Sequence, residues 1–122
     1  PKHEEESLVI ARRLLREAGF NDEEIRLIVD DAIKLHSCFD GIAPSSLEGQ
    51  VMATADALVH LKTDFYTFGL EDMRKQKTNE QIKAWALKKI DRDYHDKIRF
   101  DEVKEEASGE YERLKAFFTD LK

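Results

Sequence analysis

The chain has a single cysteine, Cys38, so no internal disulfide framework can hold it together, and a reducing cytoplasm suits it. It lacks any apolar run near the roughly 20 residues needed to span a bilayer. Its first residues, Pro1-Lys2-His3, also lack the basic-then-apolar order of a secretory signal. A soluble, cytoplasmic protein is the expectation. Convincing apolar-polar alternation is missing throughout, which disfavours half-buried strands and points to an all-α fold. Basic charge is in deficit, with 26 acidic against 20 basic residues and a formal charge of -6. That balance argues against broad, sequence-independent binding to phosphate backbones but leaves room for a local basic pocket. A Gly-rich phosphate loop, a second cysteine at zinc-site spacing, and a basic run interleaved with aromatics are all absent. So are internal repeats, low-complexity tracts and long linkers.

What remains is helical periodicity. A length of 122 residues suits one helical domain over residues 1–122 with a single core, burying about two-thirds of the surface of the unfolded chain. From about Glu4 to Ala18, Leu8, Val9, Ala11, Leu14 and Leu15 recur at helical spacing, and Gly19 is placed to stop the helix. Asn21 with Glu24 forms a capping-box pattern for a second helix that runs to His36. Gly41 and Pro44 mark a loop. Ser45 with Glu48, or Ser46 with Gly49, supplies the next N-cap, Ser45 being the better match, for a helix to about Leu61. Residues 63–70 are aromatic-rich, with Gly69 ending a short helix or marking a turn between two. Thr78 and Gln81 cap a longer helix carrying Ile82, Trp85, Ala86 and Ile90 and continuing past Tyr94, and a final helix ends near Leu121. Phe65, Tyr66, Phe68, Trp85, Phe117 and Phe118 read as core in the main.

Asp56 is the most informative residue. It stands inside Val51-Met52-Ala53-Thr54-Ala55-Asp56-Ala57-Leu58-Val59, in the third turn of its helix, too late for capping. A carboxylate there needs a cation, either a metal or a salt-bridge partner such as Arg12, Arg26 or Lys62. His36 falls at a helix C-terminus, where it caps terminal carbonyls or holds a metal. His3 precedes Glu4-Glu5-Glu6 and alone reads as a solvated side chain or a ligand. His60, four residues after Asp56, shares its helix face and reads as a supporting group or a surface residue. His95, within Asp91-Arg92-Asp93-Tyr94-His95-Asp96, reads as part of a solvated face. Cys38 has no obvious base beside it. Lys34 is a candidate phosphate contact, and Asp40 a candidate pocket residue.

As an ordered set, His3-Glu4-Glu5-Glu6-Ser7, Glu17-Ala18-Gly19-Phe20, the helix from Glu23 into His36-Ser37, Pro44-Ser45-Ser46-Leu47-Glu48-Gly49-Gln50 and Ala55-Asp56-Ala57-Leu58 resemble the HD-domain metal-dependent phosphohydrolase superfamily. The resemblance covers residues 2–61 and leaves 62–122 as additional packing helices. It implies a helical bundle in which His3, His36 and Asp56 bind a divalent cation: Mn, Fe, Zn, Co, Ni or Mg. It further implies hydrolysis of a nucleotide or other small phosphoester. Thr54 stands where many close relatives have an additional aspartate. The family's first histidine and its His-Asp pair have no counterpart here, and with no initiator methionine the expectation is that an N-terminal segment is missing. On that reading the 122 residues alone bind metal weakly and are inactive. The alternative is a non-catalytic helical interaction module or a degenerate relative, meeting a protein partner or a second copy of itself.

Overall fold

In a computed structural model, the backbone is described from Lys2 and the side chains from Glu4 to Lys122. Among the described residues every regular element is helical, and no helix is long and apolar enough to cross a membrane. The elements are α1 (Lys2–Glu17), α2 (Asp22–Ile25, widening into π-helical turns over Arg26–Ile33), α3 (Leu47–Lys62), α4 (Phe65–Met73), α5 (Asn79–Asp91, widening over Arg92–Lys97) and α6 (Asp101–Thr119). Contacts group the chain into two compact units, one ending at Ala53 and the other running from Thr54 to Lys122.

In the first unit α1 packs on α2 and its π-helical continuation. Gly19, at φ 93°, accepts the left-handed turn that ends α1, and Ile25, Val29, Ala32 and Cys38 are buried. The Asn21 capping box forms, with Glu24 N–H donating to Asn21 Oδ1 at 2.9 Å and Asn21 N–H to Glu24 Oε1 at 3.1 Å. At the start of α3 the cap is Ser46, whose Oγ accepts from Gly49 N–H at 3.0 Å, and not the expected Ser45. The cause is Asp31, which receives the backbone N–H and the hydroxyl of both serines. Burial would push the Asp31 carboxyl up, but these donors outweigh it and hold the group at about 2. Gly49 is required here, because a Cβ would lie 2.4 Å from Pro44 Cβ and 2.8 Å from Asp31 Oδ2.

In the second unit α5 packs on α4 and α6 around Ala57, Leu61, Tyr66, Leu70, Ile82, Ala86, Ile90 and Phe118. Thr78 and Gln81 form the expected capping box at 3.2 and 3.0 Å. Two sequence expectations need correction. Gly69 lies inside α4 and ends nothing; the Trp85 ring lies against it, 3.1 Å from where a Cβ would be. Phe68 and Phe117 are 66% and 51% exposed, so they are not core residues.

Candidate functional site

Asp56 projects from α3 with its side chain about one-third exposed, and its partner is the Lys97 ammonium, which is 2% exposed. Lys97 therefore takes the place of Arg12, Arg26 and Lys62, the partners expected from sequence. Arg12 instead binds Asp30, with Nη1 3.2 Å from Oδ2, and Lys62 lies 3.1 Å from Glu110 Oε1. Lys97 Nζ also stands 3.4 Å from Oδ1 of Asp93, a fully buried carboxylate. Asp93 further accepts the Tyr66 hydroxyl and lies 3.2 Å from His60 Nδ1, with Lys89 Nζ at 4.0 Å. Burial alone would push the Asp93 carboxyl up; His60, Lys89, Tyr66 and Lys97 together hold it below the usual carboxylate range. Burial and the neighbouring Asp93 charge push the Tyr66 hydroxyl up, so it stays a donor. Burial pulls the Lys89 ammonium down, with the Asp93 charge opposing.

The local folding explains how these groups meet. Ile82, Ala86 and Ile90 form the inward stripe of α5, and continuing by three and then four residues reaches Asp93 and Lys97. Both charges thus inherit a core position. Thr54, 5% exposed, donates its hydroxyl to the Lys97 carbonyl at 3.3 Å and accepts from Arg99 N–H at 3.0 Å, pinning the end of the π-helical segment. This gives Thr54 a structural job at the position where relatives of the resembled family carry an aspartate. His60 stacks on Phe65 at 4.0 Å between centroids. Its Nδ1 faces only carboxylate acceptors at Asp93, so that nitrogen carries a proton. Nε2 is then turned toward Asp56, 3.8 Å from Oδ2.

The other sequence candidates are distributed as follows. His36, half-buried, has Nδ1 against the Ile33 carbonyl oxygen, which can only accept, so Nδ1 carries the proton and the lone pair of the neutral ring is at Nε2. This bond caps a terminal carbonyl, and it is also the orientation in which a ligating histidine is held by its other nitrogen. His36 belongs to the first unit and Asp56 to the second. The His3 side chain lies outside the described residues. Lys34 and Asp40 are exposed, and Asp40 adopts a left-handed backbone at φ 55° beside Cys38 at φ 51°. Cys38 is buried. His95 is exposed, with Nε2 3.0 Å from the Tyr111 hydroxyl.

Among the described residues no three His, Cys, Asp or Glu side chains are grouped to hold a metal ion. The donor chemistry of Asp56 and His36 nonetheless suits one, a carboxylate and an imidazole with its proton fixed on the nitrogen away from any ligand. Asp93, Lys97 and Tyr66 were missed by sequence reasoning, although the stripe from Ile82 through Ile90 was signal enough to place the first two inward. No protein-family model, curated protein or solved structure matches the chain.

Proposed function

We propose that this chain carries part of the active site of a metal-dependent phosphohydrolase, with His3, His36 and Asp56 as ligands of a divalent cation. The substrate would be a nucleotide or other small phosphoester, with Lys34 contacting a phosphate. The observation that carries the reading is Asp56, a partly exposed carboxylate on an otherwise apolar stretch of α3, kept charged beside a cation. His36 supports it, since its Nδ1–H bond to the Ile33 carbonyl leaves Nε2 as the coordinating nitrogen. A divalent ion bound there would supply an activated water and neutralise charge on the phosphoryl oxygens. Asp56 would fix the ion by charge, His36 would direct it through a rigid imidazole, and Lys34 would offer a point charge to the substrate. The HD family's first histidine and its His-Asp pair have no counterpart in these 122 residues, so hydrolysis belongs to a parent protein that supplies them, and the chain alone is expected to be inactive.

The test is metal content and hydrolysis of a nucleotide and phosphoester panel in that parent, beside Asp56→Asn and His36→Ala. Partners that merely orient a metal ligand change affinity or activity by about 10- to 100-fold, so losing a ligand should cost at least about 100-fold. Unchanged metal content and activity in both variants would remove the hydrolase reading.

A second reading, a non-catalytic helical interaction module, draws on α1, where Val9, Ile10 and Leu14 are 67%, 47% and 53% exposed. A catalytically silent parent that forms a stable complex or homodimer would favour it.

A further inference from the structure

Lys97 governs what Asp56 can hold. Its ammonium touches one carboxylate that reaches solvent, Asp56 at 34% side-chain exposure, and stands 3.4 Å from one that does not, Asp93 at 0%. The backbone of Lys97 is anchored through the Thr54 hydroxyl, so the ammonium can swing while its Cα stays in place. Asp93 is already served by His60 and Tyr66, with Lys89 nearby, and it can take the full charge of Lys97 without leaving any group in the cluster bare. A cation arriving from solvent meets Asp56 first. Two cations on one carboxylate repel strongly where little water screens them, so the newcomer and Lys97 compete.

We propose that Lys97 is an internal competitor for Asp56, a positioning residue that lowers the affinity of that carboxylate for divalent cations and shifts onto Asp93 when one binds. The inference rests on the reading of Asp56 as a metal-binding residue. It adds a determinant of metal affinity that lies outside the set His3, His36 and Asp56.

The test is manganese(II) titration of the full 122-residue chain, followed by calorimetry and thermal melting, with Lys97→Met, Asp56→Asn and the double variant alongside. Lys97→Met is expected to bind manganese at least about tenfold more tightly than the wild-type chain, a coupling of ordinary size between neighbouring charges. Its melting temperature should rise with added manganese, and Asp56→Asn in the same background should remove both effects. A lysine with only a structural role would lower the melting temperature equally with and without the metal. If Lys97→Met does not fold in metal-free buffer, recovery on adding manganese supports the proposal, and no recovery overturns it. Absence of any manganese response in Lys97→Met overturns it whatever the double variant does. The two readings fail separately: a manganese-insensitive Lys97→Met with an inactive Asp56→Asn parent leaves the hydrolase standing. Tighter manganese binding in Lys97→Met with a fully active Asp56→Asn parent leaves only the competitor.

Discussion

Asp31 shows how much one side chain can organise. Its two oxygens receive four donors from Ser45 and Ser46, and this gathers the loop after Pro44 and moves the cap of α3 from Ser45 to Ser46. Its folded-state carboxyl is held at about 2 against an ordinary 3.8, so the group stabilises the fold fully above the higher value and loses that contribution as pH falls toward the lower one. Asp31→Asn should therefore flatten the fall in melting temperature between about pH 4 and pH 2, as followed by circular dichroism. At neutral pH the same variant should be less stable by about 1 kcal/mol, the low end for bonds to a charged group because the site is partly exposed. None of this was legible from the residue itself. An aspartate in the stretch Val29-Asp30-Asp31-Ala32 looks like part of a solvated edge until the chain folds the two serines onto it.

At the scale of the element, α5 is the most instructive. The capping box of Thr78 and Gln81 was readable because it needs only local spacing, and it forms as read. Thr78→Ala should cost about 1 kcal/mol, measured by denaturant unfolding, with the slope of the transition unchanged. Farther along, the six residues from Arg92 to Lys97 contain five that are charged or titratable, and composition assigns them to water. Geometry assigns two of them to the core. The stripe Ile82, Ala86, Ile90 continues through the widened turns to Asp93 and Lys97, and burial is tolerable because each charge finds its opposite there. Hydropathy averages over a segment, whereas the position of a residue around the helix decides its side. Gly69 teaches the same point in the other direction, since a glycine that reads as a helix end is a seat for the Trp85 ring in mid-helix.

For the molecule as a whole, the charge balance carries a prediction that needs no site. With a formal charge of -6, the chain should not retard a duplex DNA or RNA probe in a gel-shift assay at physiological salt, where non-specific binding depends on displaced counter-ions. A shift that disappears with added salt would contradict that expectation. The division into two compact units, with His36 before it and Asp56 after it, also bears on function. A metal shared by these residues would bind both units at once, so metal content should fall in His36→Ala and Asp56→Asn alike in the parent protein.

The amino-acid sequence by itself determined the helical class, most helix starts and stops, and the need of Asp56 for a cation, because each depends on spacing along the chain or on the cost of an unpaired charge in apolar surroundings. Only the tertiary structure decided which cation that is. Lys97 lies 41 residues away in the chain, and a pairing over that separation depends on how α3 and α5 pack, which no local pattern encodes.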